Sequence, residues 1–308
     1  MSENSLEKLV IGISSRALFD LDKSHQIFEK KGPEAYARHQ VENEDKPLKQ
    51  GVAFPFVRKI LHLNAILPAP PAVEVILLSR NTADTGLRVF HSIQHHGLDI
   101  SRAAFCGGNT PYRYVKAFGC DLFLSTDRTD VEGALAQGVA AATLLAGNAS
   151  DSGEHEPLCI AFDADAVLVS DEAEQVYQRK GLDAFKNSEQ DAADLPMDAG
   201  PFKGFLTALH SLQQRLEAQD RGHDQCLRTA VITARSAPAH ERLVRTLRSW
   251  KIRIDEMLFI GSQEKGAFVR DYGADMFFDD RGEHCASAQA VGTIAGHVPD
   301  GVVNSRKE

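Results

Sequence analysis

The sequence predicts an α/β fold in two related lobes with parallel sheets. Three observations predict it. Short apolar runs alternate with helical stretches of about 10 to 15 residues, the rhythm of βαβ units. The second half of the chain repeats the order of the first. The 308 residues suffice for two units, each with its own core.

The repeat is carried by ordered identities. Phe162 to Leu168 fall on Ile13 to Phe19 at an offset of about 149 residues. Within the same register Asp171, Gln175, Gly181, Pro196, Gly200 and Phe205 recur as Asp22, Gln26, Gly32, Pro47, Gly51 and Phe56. After a small insertion, Leu258 through Phe278 fall on Ala104 through Leu124.

Each copy reads in the same order. An apolar run, Leu9 to Ile13 or Leu158 to Phe162, is a buried strand, and a polar helical segment punctuated by Gly follows it. Phe54 to Leu63 and Phe202 to Leu216 are amphipathic helices; Phe202, Phe205, Leu206 and Leu209 have core spacing. Val73 to Leu78 and Thr229 to Thr233 are strands, followed by helices Thr85 to His95 and Ala239 to Trp250, with Trp250 assigned to packing. Strands Ala103 to Cys106 and Met257 to Ile260 come next. A helix and a last strand, Asp121 to Leu124 or Asp275 to Phe278, close each copy. The polar stretch Ala146 to Pro157 reads as a linker. The expected organisation is one lobe over 8–148, a second over 156–285, and a C-terminal tail over 286–308.

Composition removes several function classes. Lys plus Arg total 34 against 43 Asp plus Glu, so the net charge of −9 opposes binding to nucleic acid or an anionic membrane. Five dispersed cysteines without C-x-x-C spacing argue against a disulfide framework or a zinc site. His95 and His96 point to different faces of a helix end, and no H-E-x-x-H supports a histidine metal site. The N-terminus lacks a basic region followed by an apolar run, and no apolar stretch is long enough to span a bilayer; the expected location is cytoplasmic.

Chemistry concentrates in the second copy. Asp163 and Asp165 follow a strand two residues apart, so both can face one ligand. Paired carboxylates at the C-terminal edge of a parallel sheet repel one another unless a cation neutralises them, and hard oxygen ligands suit Mg²⁺. A lone D-x-D also caps helices or arises by chance. Here it is joined by Thr233, a hydroxyl at a strand end; by Lys265, a cation near a helix start; and by Asp279 and Asp280 after an apolar strand.

The ordered set Asp163-x-Asp165, Thr233, Lys265, Asp279-Asp280 resembles the four motifs of the haloacid dehalogenase superfamily, which implies two Rossmann-like (haloacid dehalogenase-like) lobes, the first degenerate over 8–148 and the second catalytic over 156–285 with a small helical cap-type insertion at about 170–200. Over residues 8 to 285 the chain resembles the AMP-preferring members of the cytosolic type I 5'-nucleotidase family. The likeness rests on Ser14-Ser15-Arg16-Ala17-Leu18-Phe19, Gly51-Val52-Ala53-Phe54-Pro55-Phe56, Leu78-Ser79-Arg80-Asn81, Asp84-Thr85-Gly86-Leu87-Arg88, Pro111-Tyr112-Arg113-Tyr114, Gly200-Pro201-Phe202-Lys203-Gly204 and Thr233-Ala234-Arg235-Ser236-Ala237-Pro238. The resemblance implies Mg²⁺-dependent removal of the 5'-phosphate from nucleoside monophosphates. It implies Asp163 as nucleophile, Asp165 as acid and base, and Thr233 and Lys265 as holders of the phosphoryl oxygens. The metal set it implies is Asp163, Asp165 through its backbone carbonyl, and one of Asp279 and Asp280. Another phosphatase or phosphotransferase of the superfamily, and a nucleotide-binding regulator without turnover, are the competing readings. A nucleotide effector and a homo-oligomer are left open.

The first copy replaces Asp163 and Asp165 by Ser14 and Arg16, Lys265 by Pro111, and Asp279-Asp280 by Ser125-Thr126. Its Arg16, Arg80 and Arg113 are either surface residues of a retained scaffold or an anion site for substrate or effector. Lys203 either approaches the nucleotide or is a solvated residue at a helix start. Arg235 either grips the substrate phosphate or pairs with an acidic side chain on a neighbouring loop.

Overall fold

The computed structural model describes residues 8–67, 69–145, 156–219 and 225–304; most of the linker Ala146 to Pro157 lies outside these residues. The first half runs β1 (Leu9–Ser14), α1 (Ser15–Leu18), β2 (Phe19–Asp20), α2 (Asp22–Glu42), β3 (Lys49–Gln50), α3 (Phe54–Ile66), β4 (Val73–Ser79), α4 (Ala83–His95), β5 (Arg102–Phe105), a 3₁₀ turn at Pro111–Tyr114, β6 (Leu122–Ser125), α5 (Arg128–Ala136) and β7 (Ala140–Leu144). The second half runs β8 (Leu158–Phe162), α6 (Glu172–Lys180), α7 (Leu182–Asp191), α8 (Lys203–Glu217), β9 (Leu227–Thr233), α9 (His240–Ser249), β10 (Glu256–Phe259), α10 (Lys265–Tyr272), β11 (Met276–Asp279), α11 (Gly282–Ala290) and β12 (Ile294–His297).

The strands that the apolar runs predict are buried on both faces, as parallel strands covered by helices must be. Their order is β5-β4-β1-β6-β7 in the first half and β10-β9-β8-β11-β12 in the second, the same order twice. Two equivalent glycines show how closely the copies agree. A Cβ at Gly51 would come within 2.6 Å of the Ala17 carbonyl oxygen, and one at Gly200 within 2.5 Å of the Val167 carbonyl oxygen. In each half, glycine lets the chain before α3 or α8 cross the loop that follows the first strand.

The expectation of two lobes with separate sheets is corrected: the halves share one ten-stranded sheet, among the described residues. Each half ends in a strand with a free edge, β7 or β12, and the two edges pair antiparallel through Gly296 with Leu144 and His297 with Thr143. That pairing satisfies backbone groups on both edges at once. A single apolar cluster then runs through both halves, from Ile13 and Leu63 to Leu158, Phe162 and Phe205. Helix α3 packs against β8, and α8 against β1 and β7.

Two consequences follow from the junction. Within each half the neighbouring strands are parallel, so the antiparallel joint makes the two halves run in opposite directions. The C-terminal strand ends of the first half therefore lie at the opposite edge of the sheet from those of the second. The tail drawn from residue 286 is also corrected, because α11 crosses that point and β12 is an interior strand. Ile294-Ala295-Gly296 is too short a run to announce a strand; its pairing on both sides makes it one.

Candidate active site

Strand β8 lies between β9 and β11, so the residues that end these three strands converge. Asp163 follows β8 directly, and its N–H donates to the Phe278 carbonyl of β11 at 2.8 Å. Asp279 ends β11 and Asp280 follows it. Lys265 opens α10, is 1% exposed, and places Nζ 2.8 Å from Asp163 Oδ1 and 2.7 Å from Asp279 Oδ2. One carboxylate oxygen from each of Asp163, Asp279 and Asp280 lies within 4.8 Å of the others, and all three residues are buried.

Three buried carboxylates crowd around one ammonium that contacts two of them, and the electrostatics reflect that imbalance. Burial, only partly offset by Lys265, and the charges of Asp279 and Asp165 push the Asp163 carboxyl up to about 6. Burial and the charges of Asp163 and Asp279 push Asp280 up to about 9. Burial also works against Asp279, but Lys265 and His284 outweigh it and hold that carboxyl below its usual range. Asp279 accepts from Lys265 Nζ, from the Arg281 N–H at 2.8 Å, and faces His284 Nδ1 at 3.1 Å from each oxygen. Among the described residues the Asp280 carboxylate accepts no hydrogen bond, while its carbonyl oxygen is held by Asn304 Nδ2 and faces His297 Nε2, both at 2.9 Å. Crowded oxygen donors with an excess of negative charge form a site for a hard cation.

Asp165 stands apart from that cluster. Its carboxylate is held by the Arg235 fork, Nη2 to Oδ1 at 2.7 Å and Nε to Oδ2 at 2.9 Å. The backbone turns sharply just beyond, at Ala166 with φ 60°. Thr233 is buried at the end of β9, and its Oγ1 accepts the Arg235 N–H at 3.2 Å, which shapes the turn after the strand. Of the two readings of Arg235, the geometry supports pairing with acidic side chains: besides Asp165 it meets Glu189 of α7. Lys203 opens α8 with Nζ 4.5 Å above the Trp250 ring. With Ser170, Asp171, Arg179, Gly200 and Pro201 it lines a cavity of about 930 Å³.

The first-half arginines are not brought to this site. They flank the C-terminal strand ends of their own half, at the other edge of the sheet, and β1 is separated from β8 by roughly 24 Å of strand spacing. Each has a local partner: Arg16 faces Asp22 at 3.6 Å, Arg80 forks onto Asp130 at 2.7 and 3.0 Å, and Arg113 lies 4.8 Å over the Tyr114 ring. The equivalence of Arg80 with Arg235 shifts by one residue. The Asn81 N–H donates to Ser79 Oγ as the Arg235 N–H donates to Thr233 Oγ1, so Asn81 is the true counterpart.

Sequence reasoning missed Glu189, Arg242 and His284. Glu189 carried one usable signal: it falls on Gln40 in the internal repeat. His284 carried none, since its role comes from one turn of α11 lying over the end of β11.

Comparison with known proteins places these residues in a family. The model of the 5'-nucleotidase family matches residues 1–305. Human cytosolic 5'-nucleotidase 1B is 35% identical over 295 residues, covering 94% of this chain and 48% of that protein. The chain thus spans about half the length of this curated relative. A solved Pnkp1/Rnl/Hen1 complex aligns over 96% of this chain and 98% of its own with 11% identity and a TM-score of 0.33, a likeness too slight to carry an argument. With a family model spanning nearly every residue and a relative at this identity, the chain belongs to the 5'-nucleotidase family.

Proposed function

We propose that this protein hydrolyses nucleoside 5'-monophosphates to nucleoside and phosphate through an aspartyl-phosphate on Asp163, with Mg²⁺ as cofactor. The observation that carries the reading is the buried cluster of Asp163, Asp279 and Asp280 with Lys265 at the strand ends, in a chain of this family. The cluster fits a divalent cation because its donors are all hard oxygens and their charge exceeds that of the one lysine. Asp163 and Asp280 would hold the ion with the backbone carbonyl of residue 165. Asp279, already engaged by Lys265, His284 and the Arg281 N–H, instead orients the lysine. When bound, the cation neutralises the carboxylates and the charge on the phosphoryl oxygens.

Asp163 supplies the oxygen that bonds to phosphorus as the bond from phosphorus to the ribose 5'-oxygen breaks. Asp165 gives that leaving oxygen a proton, then takes one from the water that cleaves the acyl phosphate. Lys265 steadies Asp163 before attack, and with Thr233 it stabilises the equatorial oxygens as charge spreads over them.

The test is phosphate release from AMP, IMP, CMP, UMP, deoxynucleotides and sugar phosphates, with Mg²⁺ and with chelator, on wild type and Asp163→Asn. Turnover of at least one nucleotide is expected only with the cation, and the folded variant should fall below about a thousandth of wild type. Near-normal turnover by Asp163→Asn overturns the mechanism.

A further inference from the structure

We infer that Glu189 and Arg235 are positioning residues for Asp165: a buried chain of charges from helix α7 fixes the rotamer of the acid/base carboxylate. The inference rests on the reading of Asp165 given above and extends the machinery to helix α7, which packs against α6 and α9.

Glu189 is the one buried side chain of α7, at 2% exposure, on a helix otherwise half-buried or exposed. A buried glutamate is costly unless its partners are in place. Glu189 has two: Arg235 Nη1 donates to Oε2, and Arg242 Nη1 donates to Oε1 at 2.9 Å. Arg235 also donates from Nη1 to the Ala239 carbonyl at 3.1 Å, and its side chain is 1% exposed. Its Nε and Nη2 are left for Asp165, held as a planar fork. Arg235 thus sits between Asp165 and Glu189, and Arg242, which contacts Glu189, also faces the exposed Glu172 at 3.7 Å.

The fork leaves Asp165 free to act. Each carboxylate oxygen has two lone pairs, and a bidentate contact uses one on each. The Asp165 side chain keeps 22% exposure where that of Arg235 keeps 1%, so one face of the carboxylate is sealed and the other is open. What the arginine removes is rotational freedom about the side-chain bonds, and acid/base chemistry depends on that placement.

The degenerate half is an internal control. By the repeat, Glu189, Arg235, Arg242 and Asp165 correspond to Gln40, Asn81, Arg88 and Arg16. One contact recurs there without a carboxylate, Arg88 Nη1 donating to Gln40 Oε1 at 2.9 Å, and the other is relayed by Tyr36: Gln40 Nε2 donates to its hydroxyl at 3.0 Å, and that hydroxyl to Asn81 Oδ1 at 2.6 Å. A network without a carboxylate suffices to hold helix α2 against α4. The glutamate and the forked arginine occur in the half that has an aspartate to hold, so docking alone does not account for them.

The experiment is a double-mutant cycle on the full chain with AMP and Mg²⁺. Glu189→Gln keeps the shape, and Gln40 shows that glutamine fits the equivalent buried position. It is expected to lower kcat on the order of 10- to 100-fold with KM within about twofold. In the Asp165→Asn background the same change should alter kcat by less than about twofold, because the residue to be positioned is gone. An equal fall in both backgrounds, a rise in KM in place of a fall in kcat, or no effect overturns the inference. Near-normal kcat in Asp165→Asn alone would overturn the acid/base reading instead. Arg235→Lys keeps the charge and loses the fork, and carries the same cycle should Glu189→Gln fail to fold by circular dichroism.

Discussion

Lys59 of the first half reaches into the second and closes on Asp275, Nζ to Oδ1 at 2.8 Å and to Oδ2 at 3.0 Å, with Lys59 buried and the Asp275 side chain only 9% exposed. The same ammonium donates to the Pro157 carbonyl at 3.3 Å, and Asp275 Oδ2 accepts the Cys159 N–H at the start of β8. One ion pair thus ties α3 to the first strand of the second half and to the residue that precedes β11. It sits in a core that both halves share.

Breaking this pair leaves the largely buried Asp275 carboxylate without its ammonium. Lys59→Met is expected to lower stability by about 3 to 5 kcal/mol, and Lys59→Met with Asp275→Asn by less than Lys59→Met alone. Urea unfolding of the three proteins measures it; a loss below about 1 kcal/mol for Lys59→Met would place the pair among weak surface contacts.

Asp279 and Asp280 are expected to separate by kind of defect. Asp280→Asn should raise the half-saturating Mg²⁺ concentration by more than the roughly 10- to 100-fold typical of losing an outer contact. Asp279→Asn frees one of the two anchors of Lys265 and should act chiefly on kcat at saturating Mg²⁺. Activity titrated against Mg²⁺ for each variant decides it, and equal Mg²⁺ requirements would assign the ion to neither residue preferentially.

Without a cation, the raised carboxyls of Asp163, about 6, and Asp280, about 9, bind protons in the folded chain that the unfolded chain has already released above about pH 4. Their contribution to stability is therefore present below that pH and is lost as pH rises toward 9. Thermal melts in chelator should show these residues destabilising the protein from pH 5 to 9, with a shallower fall in Asp280→Asn. Mg²⁺ should raise the melting temperature more at pH 8 than at pH 5. A larger Mg²⁺ effect at pH 5 would contradict this.

Truncation after Ala290 removes β12 and reopens the edges of β7 and β11. Expression should give aggregated or unfolded protein, whereas removal of 305–308 should leave solubility and melting temperature unchanged. Soluble, cooperatively melting protein ending at residue 290 would show that the halves hold together without the joint.

Much of the architecture was legible because its signals are local or repeated. Leu158–Phe162 is a buried apolar run bounded by polar residues, and its strand matches the sequence reading to the residue. Asp163, Lys265, Asp279 and Asp280 were legible as a group since each ends a strand or opens a helix, and such positions converge at one sheet edge. Asp165 was legible as a candidate but not in its partner, because Arg235 lies 70 residues away and nothing in either segment names the other.

By itself the sequence determined the element types, the duplication and the strand-end positions of the reactive groups, all properties of short segments or of their recurrence. Tertiary structure decided that β7 and β12 pair antiparallel, which turns Arg16 and Arg80 to the opposite edge from Asp163 and joins two expected lobes into one sheet. It also decided that Glu189 is buried against Arg235 and Arg242, 46 and 53 residues distant. The reason is physical: an edge strand or a charged side chain takes whatever partner the packing brings within hydrogen-bond range, and hydrophobic period and motif spacing do not record that partner.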